Sequence, residues 1–228
     1  MNRIRLPISR EIDLLRDLGF TDAYPPAASA APSAPVATGG RLERLRAVAE
    51  EAQGCTACGL CRARNKVVFG DGDGEADLMF VGEGPGAQED RQGLPFVGPA
   101  GQLLTRIIQA IDLRREHVYI TNVVKCRPPN NRDPQPDETA ACRSFLDRQV
   151  DLIAPRVIVA LGRVAAQQLL GTTNSLGRLR GTWHEARGVP VRVTYHPAAL
   201  LRNPSYRRPV WEDMQVVRDR LLGADGAE

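Results

Sequence analysis

Four cysteines arranged as two distant pairs carry the most distinctive chemistry of this 228-residue chain. Cys55 and Cys58 form a C-x-x-C step. Cys126 and Cys142 are separated by 15 residues, and 67 residues lie between the two pairs. Thiolates so far apart point to one sulfur-lined site that joins two halves of a domain. Such ligands select zinc or an iron–sulfur cluster. A zinc ribbon has two tight C-x-x-C knuckles, and the second pair is too wide for one. The spacing therefore favours a 4Fe-4S cluster over zinc.

Other reactive residue types gather in short motifs. G-E-G-P-G-A-Q-E-D-R (82–91) is a glycine-rich turn with three carboxylates, Glu83, Glu89 and Asp90. Pro85 and the acids break the dinucleotide fingerprint, and no G-K-S/T follows to make a phosphate loop. Its carboxylates suit stabilising a cation or activating water, and equally suit a tight turn with solvated acids. Phe96 sits among Pro and Gly in L-P-F-V-G-P-A-G, placed to stack on a ligand or to anchor its loop in the core. Asn122 carries a donor and an acceptor that match an amide-like base edge, or it caps a strand. His196 precedes Pro197, which restricts its backbone to extended or turn geometry, and a lone His serves either as a donor at a site or as a structural residue. The stretch 198–208 mixes Leu200 and Leu201 with Arg202, Arg207 and Arg208. That mixture fits an apolar wedge into DNA with arginines on phosphates, or a solvated basic turn.

These residues need elements to hold them. Apolar runs at Leu78–Gly82, Val118–Asn122, Val157–Gly162 and Val191–Tyr195 read as strands buried on both faces. Helical patterns cover about 41–53, 100–112, 137–153, 163–170 and 210–222. The alternation predicts an α/β fold, a three-layer αβα domain around a central, mainly parallel four-stranded sheet. The glycine-rich turn, Asn122 and His196 all fall at the carboxyl ends of strands, where open α/β sheets form their ligand crevice. Ahead of this domain (41–222), residues 8–20 predict a short amphipathic helix capped by Ser9. The Pro/Ala/Ser-rich stretch 24–40 predicts a flexible tether, so residues 1–40 read either as a partner-docking peptide on a leash or as a poorly ordered tail. Residues 223–228 read as a frayed tail.

Composition sets the outer bounds. The chain is 43% hydrophobic and 25% charged with net charge +3, ordinary for a globular protein. Its cations are 28 Arg against two Lys, Lys66 and Lys125. A weak net charge makes any nucleic-acid footprint local. No run is long and apolar enough to span a membrane, and the N-terminus has no secretory h-region. Five cysteines then argue for a reducing compartment and cofactor thiolates, not disulfides.

The pieces C-T-A-C-x-L, V-V-F-G-D-G, V-G-E-G-P-G-x-x-E-D-R-x-G-x-P-F-V-G-x-A-G-x-L-L, Y-I-T-N-V-V-K-C-R-P-P-x-N-R and H-P-x-x-L-L-R-N-P resemble the family 4, iron–sulfur uracil-DNA glycosylases. They run in the family's order from about Cys55 to Trp211. The resemblance implies cluster ligation by Cys55, Cys58, Cys126 and Cys142. Cys61 stands where the family does not demand cysteine and is read as an unused, partly buried thiol. The implied uracil pocket comprises the Gly82, Glu83 and Gly84 backbone, Phe96 as stacking platform, Asn122 reading the base edge, and His196. Superfamily relatives carry a water-activating Asp where this chain has Gly84.

The expected reaction is excision of uracil flipped from single- or double-stranded DNA. His196 donates to uracil O2 as charge develops there. Glu83, or secondarily Glu89, faces the oxocarbenium-like sugar, and Leu200 or Leu201 fills the vacated stack. The expected setting is a monomer acting in the bacterial cytoplasm at the nucleoid. Two other readings stay open: a cluster-bearing DNA-binding or redox-sensing module without excision, and a glycosylase for hypoxanthine or xanthine.

Overall fold

The computed structural model describes residues 39–223. The helix expected over residues 8–20, most of the 24–40 tether and residues 224–228 lie outside the described residues.

Six strands form one sheet: β1 (Asp71–Gly72), β2 (Leu78–Gly82), β3 (Tyr119–Asn122), β4 (Val157–Leu161), β5 (Trp183–Ala186) and β6 (Val189–Thr194). Their spatial order is β1-β3-β2-β4-β6-β5. The four inner strands are the four expected ones and run parallel. The sheet has six strands, not four, because an antiparallel strand closes each edge. Neither edge has the apolar run that marks a buried strand. β1 is two exposed residues, and β5 is only partly buried. The β5–β6 hairpin turns through Arg187 (φ 53°) and Gly188 (φ 75°), both left-handed. Such a two-residue turn matches the twist of its strands, but Arg at its first position hides the usual Asn-Gly signal.

Successive side chains of the inner strands alternate between two cores, which is why their sequences are continuously apolar. Leu78, Phe80, Val157 and Val159 face one layer, and Met79, Val81, Ile158 and Ala160 face the other. Among the described residues the α-helices are α1 (Gly39–Gln53), α2 (Ala87–Gln92), α3 (Pro99–Ala110), α4 (Pro136–Ile153), α5 (Arg163–Leu170), α6 (Leu176–Leu179), α7 (Pro197–Arg202) and α8 (Arg207–Leu221). α3 and α8 cover the first face through Leu104, Ile108, Met214 and Val217. α1, α4 and α5 cover the second through Val48, Leu146, Val150 and Ala166. α4 starts sharply. Pro136 occupies its first turn, Gln135 and Glu138 form a reciprocal capping box, and Arg132 grips Glu138 with two hydrogen bonds of 2.8 and 2.6 Å. α4 carries Cys142 to the same side of the sheet as α1, which leads into Cys55.

The expected basic loop 198–208 is instead α7, a 3-10 turn (Pro204–Tyr206) and the start of α8. Pro197 and Pro204 disguise α7 and the 3-10 turn in sequence, although Pro is well tolerated in a first turn, while α8, expected from about 210, starts at Arg207. Among the described residues no helix is long and apolar enough to cross a membrane.

Candidate active site

The parallel strands end together, and their ends assemble one site. Gly82 closes β2 directly opposite Asn122, which closes β3. The pairing continues past the strands, with Val123 N–H donating to Gly82 C=O (2.9 Å) and Val124 N–H to Glu83 C=O (3.1 Å). A methyl group on Gly82 would overlap both Asn122 Oδ1 and the Phe96 ring tip, so the missing side chain is what lets those two groups converge. The Phe96 ring in turn lies 5.6 Å from the His196 ring, tilted by 34°. Gly82, Phe96, Asn122 and His196 therefore form a continuous set of neighbours.

Asn122 is 1% exposed, and its Oδ1 has no hydrogen-bond partner. A buried acceptor left open costs about 1–3 kcal/mol, a cost that a donor from a bound molecule would relieve.

Phe96 is buried rather than displayed, and its backbone is left-handed (φ 51°), an unfavourable state for an aromatic residue. Three contacts hold it there. Glu89 Oε1 accepts from Val97 N–H and Gly98 N–H, both at 2.8 Å. Arg115 donates to Pro95 C=O. Gly101 lets α3 pack against the Phe96 carbonyl, where a methyl group would collide. Glu89 is thus occupied in holding a loop, and its neighbour Asp90 is buried and bound to Asn65. Sequence reading did not find Arg115 and Asn65. Their partners are 20 and 25 positions away, beyond any local motif.

Glu83 is the loop carboxylate without such a partner. Burial, assisted by Asp133 and opposed by Arg163, pushes its carboxyl up to about 7. His196 caps α7, its Nδ1 accepting from Ala198 N–H at 3.2 Å. Burial, reinforced by Arg202 and opposed by Glu89, pulls its imidazole down to about 4. The ring is therefore neutral near pH 7, with its proton on Nε2. The site thus combines an open amide acceptor, an aromatic face, a neutral imidazole donor and a carboxylate that titrates near neutrality.

The sequence matches the family model described as the Uracil DNA glycosylase superfamily over residues 69–215. It is 49% identical over 184 residues to the type-4 uracil-DNA glycosylase of Thermotoga maritima, covering 78% of this chain and 95% of the relative. The relative of that name in Saccharolobus solfataricus is 46% identical over 190 residues (79% and 88% covered), and the one in Sulfurisphaera tokodaii 45% over 190 (79% and 86%). The chain belongs to the type-4 uracil-DNA glycosylases.

Two further features of this type-4 glycosylase bear on its expected contacts. Leu200, expected at DNA, is 2% exposed and sits in the core with Ile107, Val210 and Met214. Leu201, the next helical position, turns about 100° away and is 52% exposed. Of the two leucines read as a wedge, Leu200 is therefore withdrawn because it is part of the core, and Leu201 is the exposed one. Arg202 is exposed, and Arg208 is exposed but paired with Glu212. Arg207 is partly buried against Leu200, with its Nε unpartnered.

All five cysteines line one cavity of about 20 Å³, together with Arg64, Lys125 and Phe145. Cys61 is thus not remote from the other four. Burial pushes the Cys126 thiol up to about 11, against the pull of Arg64, whose Nη1 lies 3.4 Å from its Sγ. Burial also raises the Cys58 and Cys142 thiols, and charge on neighbouring cysteines adds to both shifts. Crowded buried thiolates of this kind need a strongly positive centre to stay ionised. The all-sulfur donor set fits an iron–sulfur cluster. Among the described residues no group of three His, Cys, Asp or Glu side chains is arranged to hold a single metal ion.

Proposed function

We propose that this protein excises uracil from DNA by hydrolysing the N-glycosidic bond, the first step of base excision repair. The observation that carries this is the buried, partnerless Asn122 Oδ1 beside Phe96. Uracil brings the missing donor, N3–H, and its O4 accepts from the Asn122 amide. Cytosine presents an unprotonated N3 there, and the orphan acceptor would stay unpaired. Phe96 lies against the flipped base, a stacking worth about 1–3 kcal/mol.

As the glycosidic bond breaks, negative charge gathers on uracil O2 and positive charge on the sugar. His196 donates through Nε2–H to O2, a role that needs the neutral imidazole. Glu83, once ionised, stabilises the cationic sugar. Glu89 acts by holding the Phe96 loop. A carboxylate at position 84 has no room, because even a methyl group there would press on Val124 Cγ2 at 2.8 Å. Leu201 enters the stack left by the base, and Arg202, Arg207 and Arg208 bind phosphates, Arg208 after releasing Glu212.

Cys55, Cys58, Cys126 and Cys142 would hold a 4Fe-4S cluster, which would brace the wall behind the strand ends and leave Cys61 as a spare thiol. A cluster presents one iron to each thiolate, which suits sulfurs spread around a cavity. The deciding assay incubates uracil-, hypoxanthine- and xanthine-containing oligonucleotides side by side, followed by alkali cleavage. Uracil strands break first and fastest. Cleavage of none of the three, with brown iron-loaded protein, would refute excision.

A further inference from the structure

Lys125 is 2% exposed and has no part in the chemistry described so far. Its ammonium uses three donors on three buried acceptors: Thr121 Oγ1 at 2.7 Å, the Asn122 backbone carbonyl at 2.6 Å and Gln149 Oε1 at 2.6 Å. Its main chain is anchored as well. Its carbonyl accepts from Val68 N–H at 2.8 Å, and its backbone N–H favours the charged form of the Cys142 thiol. It also lines the cysteine cavity and precedes Cys126. One residue therefore lines the cysteine cavity next to Cys126 and grips Asn122 through its side chain.

The strand end it grips lacks other support on that side. β1 pairs β3 only at Tyr119 and Ile120, so no ladder hydrogen bond from β1 reaches Asn122. The residue type fits as well. In a chain with 28 Arg and two Lys, this site keeps Lys. A compact ammonium meets three converging acceptors, whereas the planar guanidinium fork cannot.

We propose that Lys125 is a positioning residue for base reading: it ties the Asn122 strand end to the cysteine-lined lobe, so that the acceptor facing uracil is in register only while that lobe is intact. This rests on Asn122 being the residue that reads uracil. Lys125→Met keeps the bulk of the side chain and removes its donors. Its iron content per chain stays at the wild-type level, while kcat of the iron-loaded protein falls about 10- to 100-fold, because small misplacements at a reacting site cost that much. KM for uracil-containing DNA changes little, since the phosphates are held by Arg202, Arg207 and Arg208 and not by Lys125, but inhibition by free uracil weakens in step with kcat. In an Asn122→Ala background the same substitution lowers kcat by less than about twofold, as expected of two residues acting as one unit.

Unchanged kcat in iron-loaded Lys125→Met protein, or fully multiplicative losses in the double variant, overturns the coupling while leaving Asn122 as reader. Full excision by Asn122→Ala overturns both. Should Lys125→Met yield no iron-loaded protein, Gln149→Met removes one of the three acceptors and carries the same comparison. It lowers kcat by a smaller factor that vanishes in the Asn122→Ala background, and full kcat in it overturns the proposal.

Discussion

Asn122 and Asp213 are equally buried, each 1% exposed, and their surroundings are opposite. Asp213 accepts from Arg180, Arg192 and Thr194, at distances between 2.7 and 3.1 Å. Asn122 Oδ1 accepts from nothing. A buried charge tolerates its desolvation only when it is ringed by donors, so Asp213 serves the fold, pinning β6 and α6 to α8. An open buried acceptor is a cost to the fold that a ligand relieves. The two residues divide the structure into groups that complete themselves and groups that the fold leaves open.

Substitution at the two positions should therefore move opposite observables. Asp213→Ala leaves Arg180 and Arg192 buried without their anion. It should cost about 3–5 kcal/mol, lowering Tm by about 10 °C while the folded fraction keeps excising uracil. Asn122→Ala should leave Tm unchanged or raised and reduce single-turnover excision about 10²-fold. A large Tm loss in Asn122→Ala would erase the contrast. His196→Ala extends it to the next strand end, with kcat down about 10²–10³-fold at nearly constant Tm. Full excision by that variant removes His196 from the chemistry.

Glu83 sharpens the contrast through pH. Its carboxyl, raised to about 7, is protonated in the folded state where an unfolded chain would be ionised. The stability this contributes is complete below the ordinary carboxylate range and is lost as pH rises through about 7. Glu83→Gln should therefore raise Tm more at pH 8 than at pH 5. In the native enzyme kcat should climb as Glu83 ionises. The variant should lose that limb and about tenfold in rate at pH 8. His196, pulled down to about 4, contributes no limb near neutrality. The smallest effect belongs to Glu89→Gln, which keeps an acceptor for Val97 and Gly98 but weakens its charge. Excision should fall severalfold at unchanged pH profile, read by single-turnover kinetics.

Much of this site was legible in the chain. The four parallel strands announce themselves because strands buried on both faces must be continuously apolar. Gly82, Asn122 and His196 fall at strand ends, and strand ends of one parallel sheet meet by topology. The cysteine spacing favours a cluster over a zinc ribbon by itself, because the second pair is too wide for a knuckle. The resemblance carried by the glycine-rich and T-N-V-V-K-C-R-P-P motifs matches the family to which the chain belongs.

What the sequence determined by itself were the element types, their order and the chemistry available at their ends, because each depends on local period and residue type. Tertiary structure decided which member of a near-equivalent set does what. Leu200 packs inward and Leu201 outward because consecutive helical positions diverge, and only the docking of α7 on α3 fixes which one faces the core. Glu89 is bound to a backbone eight residues on, while Glu83 stays free to titrate. Lys125 looks like one more cation in the chain until Thr121, Asn122 and Gln149 close around it. Partnership is a property of distance in space, and neighbours in space here stand up to dozens of residues apart along the chain.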